Sequence, residues 1–445
     1  MTMAKVAITT VGCKVNQFES EALHTSLEER GYEVIAFGEK ADITIINTCT
    51  VTHRADFQSR QLVRKALRLN PKSLVVVTGC YSQIEPEAMI GIEGVRYILG
   101  NKEKALIPDL LPSMEKGELP RILVSDIQKE TAFPFTTLHS FHYHTRAFLK
   151  IQDGCNGHCS YCIIPRARGR SRSLSPKKVF EQMRVLKEKG FKEVVLTGIH
   201  LGSYGLDLFP PFPLQRLLES LERMETPDRI RLSSIDPKDF SPSLISTLSR
   251  SKKICPHLHI PIQSGDDEIL KRMNRDYDRS FLVDLIQGLQ EKILDVSIGV
   301  DLIIGFPGET EERFERTYQL IESLPISYLH VFPFSKRKGT LASQLSQQLP
   351  ESRITERAEL IRGLGREKRK AFNRRFLNKE LDVLIEDRRD KETGKWIGIS
   401  RNYIPVLLSL DHENQLPLAW INQEWRVWIT AESEKGLIGR AVEHG

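Results

Sequence analysis

Three cysteines stand close together in Cys155-Asn156-Gly157-His158-Cys159-Ser160-Tyr161-Cys162, a C-x3-C-x2-C run that follows a stretch with strand character, Phe148 to Gln152. Thiolates at that spacing can hold three irons of a [4Fe-4S] cluster and leave the fourth uncapped. The open iron can take the amino and carboxylate groups of S-adenosylmethionine, so that a reduced cluster passes an electron to the sulfonium and cleaves it. Structural zinc is the competing chemistry, but it wants a fourth ligand and usually a second C-x2-C pair. The one later cysteine is Cys255, and His158 lies inside the run.

The other three cysteines are far apart in sequence, by 36 and 31 residues, yet each ends a strand-like segment: Val11-Gly12-Cys13, Asn47-Thr48-Cys49 and Thr78-Gly79-Cys80. In parallel α/β sheets ligands collect at the carboxyl edge, so three thiols placed there can converge on one centre. A free cysteine is often just a small buried hydrophobe, but unrelated core cysteines have no reason to take equivalent positions. Gly12 and Gly79 allow close approach of the backbone to a bulky ligand.

Other residue types add weaker signals. Arg166, Arg168, Arg170 and Arg172 alternate just past the cysteine run, and the guanidinium fork suits phosphate. They read either as a solvated loop or as contacts to an anionic substrate, and their place beside the cysteine run favours the contacts. Between Arg362 and Arg375 seven basic residues face one acidic, Glu367, a local +6 equal to the excess of 64 basic over 58 acidic residues in the whole chain. Such a run is either a solvated helix face or a surface that tracks an RNA backbone. His139, His142 and His144 alternate at a strand start, where histidines are more often structural than metal-ligating.

The elements that must carry these residues follow from periodicity. Strands at Lys5–Thr10, Asp42–Asn47 and Ser73–Thr78 alternate with helices from about Gln17 to Arg30 and Arg54 to Leu69, which implies a parallel sheet. From Lys102 to Tyr143 periodicity fades around four prolines, with one strand near Arg121–Ser125, and a boundary falls there. Six β/α units follow, with strands near 148–152, 193–198, 229–235, 257–262, 297–304 and 328–334, which suggests a full or partial barrel with chemistry at the carboxyl ends. A basic helix from Arg353 to about Arg375 leads into five short strands, a small β-barrel of the kind that often holds oligonucleotides. The fold class is therefore α/β, with domains expected at 3–115, 141–371 and 374–443. At 445 residues, 40% of them apolar and 27% charged, the chain is expected to fold throughout into two or three domains. Its seven cysteines, with no signal-like segment at Met1–Thr10 and no apolar run of spanning length, point to a cytoplasmic metalloprotein off the membrane.

Together these residues resemble the methylthiotransferase family of radical S-adenosylmethionine enzymes over nearly the entire chain. The resemblance implies an auxiliary [4Fe-4S] cluster on Cys13, Cys49 and Cys80, a radical cluster on Cys155, Cys159 and Cys162, and a TRAM RNA-binding domain at the tail. It further implies that Tyr161 packs near bound S-adenosylmethionine, that Thr197 and Gly198 meet its methionine end, and that Ser234 and the Gly305 region meet its nucleoside. Gly305-Phe306-Pro307-Gly308-Glu309 reads equally as a tight turn in which Glu309 opens a helix.

Gly12-Cys13-Lys14-Val15-Asn16-Gln17, Asn47-Thr48-Cys49-Thr50-Val51-Thr52 and Thr197-Gly198-Ile199-His200-Leu201-Gly202-Ser203-Tyr204-Gly205 look most like the branch that acts on N6-threonylcarbamoyladenosine at tRNA position 37. The implied reaction uses two S-adenosylmethionine molecules, one methylating cluster-held sulfur and one giving a 5′-deoxyadenosyl radical that takes hydrogen from adenine C2. The implied partners are the tRNA anticodon stem-loop and an electron donor such as a flavodoxin or ferredoxin. The alternatives are the same chemistry on isopentenyladenosine, a radical enzyme whose second cluster relays electrons, an RNA-binding module with structural zinc, and a barrel enzyme without RNA.

Overall fold

The structure is a computed structural model and describes residues 4–134, 136–138, 145–409 and 418–442. The first sheet is built from β1 (Lys5–Thr10), β2 (Glu33–Ile35), β3 (Ile43–Thr48), β4 (Leu74–Gly79), β5 (Val95–Leu99) and β6 (Ile122–Leu123). Their order is β2-β1-β3-β4-β5-β6, all parallel. β3 buries all six residues, as a parallel strand covered on both faces must, and its β-branched run suits that place. α1 (Lys14–Glu28), α2 (His53–Leu69) and α3 (Cys80–Ile84) leave the carboxyl ends of β1, β3 and β4. Thr52 starts α2 by accepting a hydrogen bond from the Ala55 N–H at 3.2 Å.

Two strands of this sheet, β2 and β5, escape periodicity, the first because three residues are too few to show alternation. The strand expected in the connecting segment is β6, which pairs Ile98 with Ile122 and Leu99 with Leu123, so the sheet runs past residue 115. His139, His142 and His144 lie outside the described residues.

The expected β/α series forms two parallel sheets. One holds β7 (Ala147–Lys150), β10 (Glu193–Thr197) and β11 (Arg229–Leu232), the other β12 (His257–Gln263), β13 (Ser297–Ile304) and β14 (Tyr328–Pro333). They meet where the Ile235 N–H donates to the His259 carbonyl at 3.0 Å, giving an open half-barrel. β8 (Gln152–Asp153) and β9 (Arg172–Ser173) form an antiparallel pair across the base of the cysteine loop. Phe18 of α1 belongs to the same buried cluster as Leu149, Ile151 and Leu174, so the first sheet and the half-barrel share a core.

The tail is a closed barrel of β15 (Glu380–Arg389), β16 (Trp396–Ser400), β17 (Pro405–Leu408), β18 (Glu424–Ser433) and β19 (Gly436–Ala441). It follows the helix Glu351–Arg374. It docks at the amino ends of β10 and β11. There Glu193 takes Arg229 at 2.8 Å and Arg231 at 2.7 Å, and the two arginines donate onward to the Ile399 and Arg401 carbonyls, each at 2.9 Å.

Candidate active site

β1, β3 and β4 are neighbours in near-equal register, with Thr10 opposite Asn47 and Thr48 opposite Gly79, so the three chain ends emerge side by side. Gly12 has φ +114°, and a Cβ there would fall 2.8 Å from Cys49 Cβ and 3.1 Å from Cys49 Sγ. Gly79 has φ +102°, and its Cβ would strike the Thr48 backbone at 2.4 Å. Both glycines are therefore required by close approach between adjacent strand ends. Burial, with smaller contributions from the nearby Cys80 and Cys13 thiols, pushes the Cys49 thiol up to about 12. Asn16 holds this arrangement by donating to the carbonyls of Val11 at 2.8 Å and Thr48 at 3.0 Å.

The second set sits on the loop that β8 and β9 close. Gly154 has φ +70°, where a Cβ would meet the Arg170 carbonyl at 2.0 Å. Cys155 Sγ lies 3.7 Å from His200 Nδ1, and His200 Nε2 is 2.8 Å from Asp239 Oδ2. Burial opposes a charge on His200, but Asp239 and Cys155 outweigh it and raise its pKa to about 10. Arg275 donates to Cys159 Sγ at 3.4 Å, and burial pushes Cys162 up to about 12. Ser160 ties the loop to the Met273 carbonyl at 3.0 Å and the Arg272 carbonyl at 2.7 Å.

Of the six cysteines, Cys162 lines a cavity of about 180 Å³, together with Tyr161, Gln263, Asp301 and Phe332 and with Val51 and Thr52, which follow Cys49 by two and three residues. Of the residues implied as cofactor contacts, Tyr161 lines this cavity. Thr197 is buried at the end of β10, and Gly198 rests against Gln152, whose Cβ would be 2.9 Å from an added Cβ. Ser234 Oγ lies 2.6 Å from His259 Nδ1. His259 Nε2 and His330 Nδ1 stand 2.8 Å and 3.3 Å from Asp301 Oδ1, and these two imidazoles draw the carboxyl down to about 2 although burial works against it. Gly305 faces elsewhere. At φ +81° it meets Ile354 of the helix Glu351–Arg374, and its N–H donates to Glu309 Oε1 at 3.1 Å, the turn geometry.

The alternating arginines divide. Arg166 and Arg170 are exposed, whereas Arg168 and Arg172 are buried at 1% and 5% exposure. Arg168 bonds to Glu19 at 2.8 Å, to Asp153 at 3.0 Å and to the Asn16 side chain. Arg172 donates to the Arg168 and Glu130 carbonyls. These two are internal, so the expectation that all four meet an anionic substrate is corrected: the buried Glu19 and Asp153 carboxylates claim them first. Sequence reasoning missed Asn16, Glu19, Asp153, His200, Asp239, Arg275 and the His259–Asp301–His330 group. The alternation His257-Leu258-His259 was the one local sign of the last of these. Cys255 is buried against Arg229 and Arg231, away from both sets.

Comparisons with known proteins fit this geometry. Residues 5–100 match the model of an uncharacterized protein family, UPF0004, and residues 149–321 match the radical SAM superfamily. The chain is 40% identical to the threonylcarbamoyladenosine tRNA methylthiotransferase MtaB of Bacillus subtilis, covering 91% of this chain and 90% of that one. Identity to the enzyme of the same name from Aquifex aeolicus is 39%, covering 89% and 96%. A tRNA-2-methylthio-N(6)-dimethylallyladenosine synthase of Pelotomaculum thermopropionicum is 34% identical, over 92% of each chain. Among solved structures, the radical S-adenosylmethionine methyltransferase TsrM of Kitasatospora setae shares the fold at TM-score 0.55 and 17% identity, covering 75% of each chain. Two separated thiol triads on a parallel sheet and a half-barrel, together with relatives at this identity over most of their length, make the chain a member of the methylthiotransferase family of radical S-adenosylmethionine enzymes.

Proposed function

We propose that this enzyme places a methylthio group on C2 of N6-threonylcarbamoyladenosine at position 37 of tRNA. The observation that carries the reading is the cavity lined by Cys162 of the second set and by Val51 and Thr52, which continue the chain from Cys49 of the first. Support for the modified base comes from the names of the relatives at 39–40% identity against 34% for the dimethylallyladenosine synthase.

Cys13, Cys49 and Cys80 would hold an auxiliary [4Fe-4S] cluster, and Cys155, Cys159 and Cys162 the cluster that binds S-adenosylmethionine. The donor sets fit. Thiols pushed up to about 12 by burial are costly as bare thiolates, and an iron centre in place of the proton offsets that cost. When bound, these groups supply one-electron reduction, hydrogen abstraction at C2 and the sulfur-borne methyl group. The chain's own part is positional. His200, fixed by Asp239, orients Cys155, and Arg275 places positive charge against Cys159. Ile163, Ile303, Phe332 and Phe334 give the cavity an apolar wall that excludes water from the reacting base. Tyr161, Thr197, Gly198, Ser234 and Gly305 are the proposed S-adenosylmethionine contacts, directly or through the turn they shape. The N-terminal, radical and TRAM units are proposed at 3–115, 141–371 and 374–443. A flavodoxin or ferredoxin is the proposed electron donor, and the cytoplasm the proposed location; no described helix is long and apolar enough to cross a membrane.

Mass spectrometry of tRNA nucleosides from cells with and without the gene tests this. Loss of the 2-methylthio derivative of threonylcarbamoyladenosine is the expected result. Its persistence with loss of the isopentenyladenosine derivative would move the substrate, and no change in either would overturn the reaction.

A further inference from the structure

The basic segments that sequence alone offers to RNA are largely engaged within the protein. Besides the buried Arg168 and Arg172, the cations between Arg362 and Arg375 all have partners. Arg362 and Arg366 meet Glu359, Lys370 meets Glu367, Arg374 meets Glu432 and Arg375 meets Asp295. Lys368 donates to the Leu324 carbonyl at 2.7 Å, and Arg369 lies over the Tyr328 ring.

α2 differs. Its one acidic residue, Asp56, is buried and taken by Arg337. Arg54, Arg64 and Arg68 are exposed, and among the described residues no ion pair engages them. Phe57, Gln61, Arg64 and Arg68 follow at i, i+4, i+7 and i+11, one stripe along the helix. Beside it runs an open groove of about 720 Å³, from Gly12, next to Cys13, to Arg68. The helix starts at the cavity mouth. Val51 and Thr52 line the cavity, and the His53 N–H donates to Ser335 Oγ at 3.0 Å. Val51, on the cavity wall, and Phe57, one turn into α2, are 49% and 48% exposed, large apolar groups open to a partner.

We propose that this face of α2 is a docking surface for the anticodon loop. Arg64 and Arg68 bind phosphates of loop nucleotides a few positions away from the modified adenosine, and Phe57 gives an unpaired base nearer to it a surface to stack on. The inference rests on the tRNA reading above and names the part of the protein that delivers the base. Charge complementarity fixes the occupant. A row of unpaired guanidiniums beside an exposed aromatic, leading into a cavity of base size, is the combination that single-stranded RNA requires. The length fits as well, because 17 helical residues extend about 25 Å, enough for several nucleotides.

The test is binding of an anticodon stem-loop RNA carrying threonylcarbamoyladenosine, across a salt series, to the cluster-loaded enzyme and to Arg64→Gln/Arg68→Gln. Glutamine keeps helix propensity close to that of arginine. Removing two phosphate-binding cations from a single-strand site should flatten the log–log salt slope by about 1.4 and weaken binding roughly tenfold at physiological salt. Cleavage of S-adenosylmethionine without RNA should be unchanged. A control that removes two distant exposed cations, Arg223→Gln/Arg250→Gln, should bind as the wild type does. Unaltered affinity and slope in the α2 variant overturn the groove, as does equal weakening in the control. Intact RNA affinity with slowed reduction by flavodoxin also overturns it and assigns the face to the reductant. Failure of the wild-type enzyme to bind the RNA strikes the tRNA reading instead.

Discussion

The guanidinium of Arg168 donates to the side-chain oxygen of Asn16, 152 positions earlier, and so fastens the loop of Cys155, Cys159 and Cys162 to the loops of Cys13 and Cys49. Asn16 spans the ends of β1 and β3, while the neighbouring Ala167 carbonyl accepts from Asn101, which also approaches Cys80 Sγ at 3.7 Å. The short helix Ile164–Arg168 thus reaches every strand end that bears a cysteine of the first set. Around it Glu19 and Asp153 face Arg168, Arg172, Lys104 and Lys150, four buried cations to two carboxylates, a local excess that would suit cluster-bound thiolates nearby.

Arg168→Met is expected to destabilise the protein by about 3–5 kcal/mol, because it leaves Glu19 and Asp153 buried with fewer partners. Urea unfolding of the two proteins measures it. A difference under about 1 kcal/mol would show that the network is not what joins the sheet to the half-barrel.

Cys155→Ala should abolish cleavage of S-adenosylmethionine, whereas Cys13→Ala should retain cleavage and stop methylthio transfer. Each should lower bound iron from about eight to about four per chain, as expected for two four-iron centres. Cleavage that survives in Cys155→Ala would reverse the assignment of roles.

Gly12→Ala should fold yet disturb the first set of cysteines. The new methyl would sit 2.8 Å from Cys49 Cβ at a backbone φ of +114°, at a cost of about 1–3 kcal/mol. Iron analysis should show about half the wild-type content, with the absorption of the other cluster intact. Full iron content would mean that the Cys49 loop yields without consequence.

Asp301 should give the protein an acid-sensitive step. Its folded pKa of about 2 lies below the unfolded value of about 3.9, so its contribution of about 2 kcal/mol is fully present above pH 4 and fades as pH falls through 2. The stability difference between wild type and Asp301→Asn should therefore shrink by about 2 kcal/mol from pH 5 to pH 2 in urea titrations of the metal-free chains. A constant difference would mean that His259 and His330 do not hold the carboxylate ionised.

By itself the sequence determined the chemistry and the layers. Cysteine type and spacing carry the resemblance from which the ligand sets are proposed, and β/α alternation places Cys13, Cys49 and Cys80 at one sheet edge, because the period of two in strands and 3.6 in helices is a local property. The five-stranded tail was legible for the same reason. Only the tertiary structure decided what the charges do. Arg168 and Arg166 are alike in sequence, yet one is 1% exposed between Glu19 and Asn16 while the other faces solvent. The run ending at Arg375 is paired, whereas among the described residues Arg54, Arg64 and Arg68 of the quieter helix α2 have no ion-pair partner. Whether a cation is spent inside the protein or left for a partner depends on carboxylates more than a hundred residues away, and no local pattern carries that information.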